Sequence, residues 1–497
     1  CCGVGNLEVK HSNPRNIYMS TLDLADVDVM KATKTCAAAT RFQYDYLNDD
    51  ITDDGKIDYS LTNKMPEGLR KAIASGKKIL VLINPPYAEA ASKDNTSFGD
   101  DNSETKLGVS KTKVAKSMDK QGYAARELFV QFLVRIGIEI PNATIGMFSK
   151  LKYVNAPNFE KFRADWNAKY LDGFVVPSKA FDGLKGNFPI GFLVWSTHQN
   201  ALKKEVITEI ITDVLDKAAE PIGEKRFYNL PNKLLLSNWI KRTKSNDIDT
   251  IPLKNAVSPT VSTKDVRGKK WANSAIASMI CPGNDLQHTS LTGLLSSGYC
   301  SAGGFFVTND NLWQSAVVFT VRRIIKQTWL NDRDQFLQPK AELSEEFKTD
   351  CLVWMLFNGS NLTASANDLE WNDKKWSIVN HFIPYTEEEV GSPERFESDF
   401  MVQYLQGKEF SPEVIAVLEM GKILWREYFK YTDSHSVRKE FSLNRADVGW
   451  YQVRKALEKR NANGDYTPVS FLEFKDAYDA LTKKLRPQVY EYGFLAK

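Results

Sequence analysis

Short apolar runs alternate with helix-like segments along the first 200 residues of the chain. The most continuous apolar run is ILVLI at 79–83, which predicts a parallel strand buried on both faces. Other strand-like patterns lie at 16–23, 40–47, 143–148 and 191–195. Helix-like patterns lie at 67–73 and 123–136. This β–α alternation predicts an α/β fold built on a parallel sheet.

The strand at 79–83 is followed directly by Asn84, Pro85, Pro86 and Tyr87. The two prolines cannot continue a strand, so a rigid turn is expected at the carboxyl end, where open α/β sheets bind ligands. The Asn84 amide and the Pro85 carbonyl are two acceptors beside the flat Tyr87 ring, an arrangement that suits the exocyclic amine of a planar base. An ordinary strand with a proline turn explains the same residues equally well.

A glycine turn and two acids precede this strand. Gly3 and Gly5 permit a tight turn that a ligand can approach closely, and the helix expected after it would offer its N–H groups. The strand-like segments that follow end near Asp23 and Asp45. Acids at successive strand ends, after a glycine turn, suit the hydroxyls and the amine of a nucleoside.

The CCGVGNLE turn, the two acids and NPPY together resemble the S-adenosylmethionine-dependent DNA adenine-N6 methyltransferases of the gamma arrangement, found in restriction–modification systems. The resemblance continues through 125–129 and 143–148 to Phe181 and 191–195, so it covers roughly the first two-fifths of the chain. It implies a Rossmann-like sheet, S-adenosylmethionine as cofactor and double-stranded DNA as partner. The chain begins inside the family's first motif, so we expect an amino-terminal truncation that lacks the first strand and its acid.

The resemblance also assigns roles to individual residues. Asn84, Pro85, Pro86 and Tyr87 match the catalytic tetrapeptide, and an asparagine there favours activation of the amine by hydrogen bonds over proton abstraction. A flipped base would stack between Tyr87 and Phe181, with Phe188 as the alternative second wall. The implied cofactor-binding residues are Cys2, Gly3, Gly5, Asn6, Asp23, Asp45 and Asn84. Asp26 is the alternative to Asp23.

The sequence divides into three predicted regions: a catalytic core at 1–200, a connecting helix with an α+β target-recognition region at 201–400, and a helical module at 401–497. An amphipathic helix is predicted at 203–219, and further helices at 411–428, 449–454 and 471–485. The predicted DNA-binding residues are the basic ones ahead of Trp271, namely Lys264, Arg267, Lys269 and Lys270. An ordinary α+β domain fits this segment equally well.

Composition limits the classes of protein to which the chain can belong. The chain has 497 residues, 42% of them hydrophobic and 26% charged, as expected of a multi-domain globular protein. No apolar run approaches the length of a membrane span, and the six cysteines lack the spacing of a zinc site or a disulfide framework. A cytoplasmic protein without metal fits best. The polar segment at 88–122, rich in lysine towards its end, is expected to form a long loop beside the turn.

Two functions remain open. The first is a site-specific adenine DNA methyltransferase of a restriction–modification or phage-defence system, acting with a nuclease or another subunit of that system. Methyltransferases of RNA or of protein glutamine amides also use NPPY-like turns, and the large second half argues for DNA among these substrates. The second is a catalytically silent DNA-binding or assembly subunit that retains the fold.

Overall fold

The protein is a mixed α/β protein in a computed structural model. Two compact units divide the chain, one of Cys1–Pro231 with Thr328–Arg333, the other of Asn232–Gln327 with Asp334–Lys497. The structure describes residues 2–9, 14–87, 108–181, 186–198, 206–243, 245, 248–252, 268–298, 303–430, 444–459, 462–463 and 469–496.

The first unit contains eight strands and six α-helices that lie wholly within its described residues, besides helical residues at 108–111. Its strands are β1 Tyr18–Thr21, β2 Thr40–Gln43, β3 Ile79–Ile83, β4 Ala143–Lys150, β5 Lys169–Pro177, β6 Pro189–Ser196, β7 Glu209–Leu215 and β8 Pro221–Tyr228. Its helices are α1 Leu24–Ala32, α2 Glu67–Ala74, α3 Lys113–Ser117, α4 Leu128–Glu139, α5 Lys152–Asn155 and α6 Glu160–Asp165. Short 3-10 turns lie at Pro14–Asn16, Asp119–Arg126, Pro157–Phe159 and Ser178–Ala180.

Six of these strands form one mixed sheet in the order β3-β4-β6-β5-β7-β8. Neighbours β3 and β4 are parallel, as are β5 and β7, whereas β6 is antiparallel to both β4 and β5. Helix α4 is apolar almost all round, and it packs into the core of this sheet with Ile145, Leu193 and Trp195. The strands predicted at 79–83, 143–148 and 191–195 are confirmed, but the predicted parallel sheet is mixed, because β6 runs antiparallel to both of its neighbours.

Strands β1 and β2 form a separate parallel pair. Met19 of β1 packs with Val27 and Met30 of α1 in a small core of its own. The strand-like patterns predicted at 16–23 and 40–47 are confirmed, but within the described residues this pair is not hydrogen-bonded to the six-stranded sheet.

Four sequence predictions are wrong in detail. Strand β3 is not buried on both faces, since Leu80 is 59% exposed and Ile83 only 4%; among the described residues β3 lies at the edge of its sheet. The described part of 203–219 holds strand β7, not a helix, with alternate residues buried against the sheet. Residues 108–122 are mostly helical, so they do not form part of the long loop predicted for 88–122. The rest of that range, 88–107, lies outside the described residues. Residues 3–9 are turns and contain no helix.

The second unit contains seven short strands and seven α-helices within its described residues. Its strands are β9 Ile248–Asp249, β10 Lys270–Trp271, β11 Ala275–Ile280, β12 Gly293–Leu295, β13 Phe305–Thr308, β14 Ala366–Trp371 and β15 Lys374–Ile378. Its helices are α7 Leu312–Ile324, α8 Glu345–Leu356, α9 Glu387–Val390, α10 Phe400–Leu405, α11 Pro412–Lys430, α12 Trp450–Leu457 and α13 Val469–Glu491. Short 3-10 turns lie at Asn232–Leu234, Leu236–Asn238, Leu286–Leu291 and Asn309–Asn311.

One hydrophobic core holds this second unit together. It extends from Leu236 to Leu495 and includes Trp354, Trp425 and Trp450, so the regions predicted as 201–400 and 401–497 contribute to the same core. Helix α11 begins as predicted, with the Ser411 hydroxyl accepting a hydrogen bond from a backbone N–H of its first turn.

Candidate functional site

The turn after β3 lies at the carboxyl end of the strand. Ile83, opposite Met147 of β4, is the last strand residue, and its burial fixes where the turn begins. Pro85 is buried, whereas Asn84 and Pro86 are exposed and Tyr87 is half-buried. A buried proline anchors the turn, so the Asn84 side chain is presented at the surface from a fixed strand end.

Two hydrogen bonds set the shape of this turn. The Tyr87 hydroxyl donates to Asn84 Oδ1 at 2.9 Å, and Lys150 Nζ, at the end of β4, donates to the Tyr87 carbonyl at 3.1 Å. Burial raises the pKa of the Tyr87 hydroxyl above its ordinary value, so it stays protonated and acts as the donor. An amide oxygen has two lone pairs, so Asn84 Oδ1 can accept a second hydrogen bond. Lys150 is a contact that the sequence pattern did not reveal.

Aromatic rings cover the same end of the sheet. Phe148 follows Met147 on β4, and its ring meets the Phe181 ring edge-on with 5.6 Å between centroids. No ring contact joins Phe181 to Tyr87 among the described residues. The Ser178 N–H donates to the carbonyl of Phe188, the alternative second wall, and fixes the segment before β6. Phe181 is thus placed beside β4, and its role as a stacking wall stays a prediction.

The glycine turn has the backbone conformation that only glycine adopts easily. Gly3 has φ of +52° and Gly5 has φ of +83°. A Cβ on Gly5 would lie 2.6 Å from the Met19 methyl, whereas the same position on Gly3 has no heavy atom within 4 Å. The backbone at Gly3 is therefore open to close approach, as a bound nucleoside requires. Burial raises the pKa of the neighbouring Cys2 thiol to about 11, so this thiol stays neutral.

The two predicted acids differ in their surroundings. Asp23 is exposed at the N-cap of α1, and its carboxylate makes no hydrogen bond to the helix. Both carboxylate oxygens of Asp45 are engaged within its own loop, by the Leu47 N–H at 3.1 Å and the Asn48 amide at 2.8 Å. Asp26, the alternative to Asp23, accepts a hydrogen bond from Thr21 at 2.7 Å. Of the three residues Asp23 is the exposed one, so its carboxylate is the most accessible to an added hydroxyl.

A buried arginine, which the sequence pattern did not single out, holds the loop that carries Asp45. The guanidinium of Arg135 donates to the carbonyls of Tyr46 and Asp49, to the Tyr44 hydroxyl at 2.8 Å, and to Glu139 at 3.3 Å. Arg135 and Glu139 lie four residues apart on a largely apolar helix. That spacing is the signal that would have revealed them.

The predicted DNA-binding residues belong to the second unit. Lys269 and Lys270 are exposed; Lys270 pairs with Asp249 at 2.8 Å, and the Lys269 ammonium lies 6.0 Å from the Trp371 ring centroid. Lys264 and Arg267 lie outside the described residues. Basic and aromatic groups are thus neighbours here, and phosphate binding at this segment stays a prediction.

No group of histidine, cysteine or acidic side chains among the described residues could hold a metal ion. No helix in the same residues is long and apolar enough to cross a lipid bilayer.

No protein-family model matches the chain, and no curated protein matches it. The chain is weakly similar to several solved structures. The type ISP restriction–modification enzyme LlaBIII bound to DNA is 11% identical over 40% of this chain and 14% of its own, with a TM-score of 0.25. A modification subunit of a putative type I restriction enzyme from Vibrio vulnificus is 10% identical over 49% and 51%, with a TM-score of 0.27.

The type IIL restriction–modification enzyme MmeI, in complex with DNA, is 9% identical over 84% of this chain and 55% of its own, with a TM-score of 0.26. The matched regions cover less than two thirds of each of these proteins. At such identities and TM-scores the similarity carries no argument, so the function has to follow from the site itself.

Proposed function

We infer that the chain is a DNA methyltransferase that methylates the N6 amine of an adenine flipped out of duplex DNA, within a restriction–modification or phage-defence system. The observation that carries this inference is the turn of Asn84, Pro85, Pro86 and Tyr87 at the carboxyl end of β3. It joins an exposed amide oxygen, a rigid backbone and a half-buried aromatic ring at one strand end. The resemblance noted in the sequence rests on the same residues.

The chemistry follows from the acceptors of this turn. The adenine amine is a weak nucleophile because its lone pair is delocalised into the ring. Asn84 Oδ1 and the Pro85 carbonyl would each accept one of its hydrogens, which localises the lone pair on the nitrogen. Acceptors held in place on a strand end stabilise the charge that develops during transfer without reorganising.

The aromatic side chains would hold the flipped base. Tyr87 would stack on one face; the hydrogen bond to Asn84 restrains its ring, and Lys150 restrains its backbone carbonyl. Phe181 would form the second wall. A flipped base is read by stacking between apolar rings, and unstacking it from the duplex costs a few kcal/mol.

The residues of the glycine turn fit a nucleoside cofactor. Gly3 has open space beside its backbone, and Asp23 has an exposed carboxylate at a helix amino end. With Cys2, Gly5, Asn6, Asp45 and Asn84 they would hold S-adenosylmethionine, which when bound supplies an electrophilic methyl group. In this proposal Asp23 binds the ribose hydroxyls and Asp45 lies near the cofactor's adenine.

One observation favours the second candidate, a catalytically silent DNA-binding or assembly subunit. The β1–β2 pair, which carries Asp23, is not hydrogen-bonded to the sheet that carries Asn84 in the described chain. A cofactor that binds Asp23 and Asn84 together would need the β1–β2 pair to be held in a fixed position relative to that sheet.

Methyl transfer to nucleic acid distinguishes the two candidates. The purified protein is incubated with labelled S-adenosylmethionine and unmethylated duplex DNA of many sequences, and the product nucleosides are separated. Label in N6-methyladenine, absent when the DNA is already methylated at N6, is the expected result. Tight DNA binding with no label in any sequence favours the silent subunit, and label in RNA or in glutamine amides instead assigns a different substrate class.

A further inference from the structure

Strand β4 extends beyond the end of its neighbour β3. The last pair between the two strands joins Ile83 to Met147, and β4 then continues to Lys150. On its other side this extension of β4 stays paired with β6, up to Lys150 opposite the buried Ile190. The chain that leaves β3 after Ile83 therefore starts next to a length of β4 that β6 holds in place.

Backbone hydrogen bonds do not hold the turn at 84–87 to this extension. Pro85 and Pro86 have no N–H to donate. In the described chain, no backbone–backbone hydrogen bond joins residues 84–87 to β4. Burial of Pro85 anchors the beginning of the turn, but its far end at Tyr87 needs a contact of another kind.

The side chain of Lys150 makes that contact. Its Nζ donates to the Tyr87 carbonyl at 3.1 Å, and a charged donor makes a stronger hydrogen bond than a neutral one. Tyr87 is thus held at its carbonyl by β4 and at its hydroxyl by Asn84. A shift of the Tyr87 backbone would displace its ring, together with the hydroxyl that orients the Asn84 amide.

We propose that Lys150 is a positioning residue for methyl transfer, whose ammonium group holds the carboxyl end of the turn against β4. It thereby fixes the two acceptors, Asn84 Oδ1 and the Pro85 carbonyl, relative to the Tyr87 ring. This inference rests on the proposed function. Lys150 acts through Tyr87, and not through contact with the base or with the cofactor.

The test compares three variants with the parental protein. Lys150→Met removes the donor but keeps an aliphatic chain, Lys150→Arg keeps a charged donor, and Lys169→Met is the matched control. Lys169 is exposed at the first residue of β5. Strand β5 runs parallel to β4, because β6 is antiparallel to both, so Lys169 lies at the opposite end of the same sheet. Single-turnover transfer is measured with saturating duplex DNA and S-adenosylmethionine, and the affinity for each is measured separately over a range of salt concentrations.

We expect Lys150→Met to transfer methyl groups roughly ten- to a hundredfold more slowly, because a misplacement of about 1 Å at a reacting group has an effect of that order. Its affinity for DNA and for the cofactor should not change. Lys150→Arg should recover most of the rate, and Lys169→Met should keep the parental rate. A parental rate in Lys150→Met overturns the proposal. So does weaker DNA binding with a smaller salt dependence, since Lys150 would then contact phosphate.

A second readout does not require catalysis. Tyrosine is labelled with ¹³C at its carbonyl and alanine with ¹⁵N at its amide, so NMR detects the two Tyr–Ala bonds of the chain, at 87–88 and 123–124. Lys150→Met should shift the carbonyl signal of Tyr87 and leave that of Tyr123 in place, whereas Lys169→Met should shift neither. An unshifted Tyr87 signal overturns the proposal. A shifted signal with a parental transfer rate also overturns it, because the contact would then be structural only.

Failure of the proposed function gives a different pattern, in which the parental protein itself transfers no methyl group to DNA. The Tyr87 carbonyl signal then decides alone whether Lys150 holds the turn.

Discussion

Replacing Arg135 with methionine should destabilise the first unit, because this guanidinium joins helix α4 to the loop that carries Asp45. Its side chain is fully buried, as is that of Glu139. Burial alone would lower the pKa of Arg135, but the charge of Glu139 and the neighbouring tyrosines outweigh it and raise the pKa above its ordinary value. The arginine therefore stays charged, and methionine keeps much of its volume while removing every donor.

The size of the expected loss of stability follows from the buried groups that lose their partner. The carboxylate of Glu139 stays buried without its counter-charge, and the carbonyls of Tyr46 and Asp49 lose their donors. Breaking a buried ion pair by removing one partner typically costs about 3–5 kcal/mol. A double variant that also carries Glu139→Leu should recover part of this loss, because no buried charge remains.

Hydrogen exchange of the backbone amides of residues 44–50 and of α4 measures the effect locally. The free energy of opening there should fall by about 3–5 kcal/mol in Arg135→Met. The matched control is Arg226→Met, an exposed arginine 3.8 Å from Glu209 in the same unit, for which about 0–1 kcal/mol is expected. If Arg135→Met is no more destabilising than this control, the network does not hold the loop.

Three further predictions concern the proposed cofactor-binding, DNA-binding and base-stacking residues. Asp23→Ala should weaken binding of S-adenosylmethionine by roughly 1.5–3 kcal/mol, the worth of a charged hydrogen bond, and unchanged affinity by calorimetry would remove Asp23 from the site. Neutralising Lys269 and Lys270 should reduce the salt dependence of DNA binding by about one unit of slope per phosphate contact; an unchanged slope would make this an ordinary surface. Tyr87→Phe keeps the ring but loses the hydrogen bond to Asn84, worth about 0.5–1.5 kcal/mol, so transfer should stay within roughly tenfold of the parental rate. Tyr87→Ala should be slower still, because stacking on the base is lost.

Local patterns predicted the strands and the turns well, because their causes are local. The apolar run of β3 and the two prolines after it fix where the strand ends, and Ser411 before Pro412 fixes where α11 begins. Helix and strand patterns conflict at β7. Ile207, Ile210 and Val214 match helical spacing, but the strand buries Ile210, Thr212 and Val214 alternately, and β-branched residues there favour a strand.

Pairing between distant segments was not predictable in the same way. The apolar composition of β3 predicts burial on both faces, but burial depends on which distant segments pack against the strand, and Leu80 is 59% exposed. The hydrogen bond from Lys150 to the Tyr87 carbonyl joins residues 63 positions apart. The sequence indicated the chemistry of the turn at Asn84. Which residues lie beside this turn depends on the register between β3 and β4.

The rate of methyl transfer by Asn84→Ala tests the central claim most directly. Single-turnover transfer is measured with saturating duplex DNA and S-adenosylmethionine, beside the parental protein. The fold should survive, because Asn84 is exposed and the strand before it is set by its own pairing with β4. Losing one preorganised acceptor typically costs about 2.7–4 kcal/mol in the barrier, so we expect a rate lower by roughly a hundredfold or more. Transfer at the parental rate would contradict it and make the turn a purely structural feature.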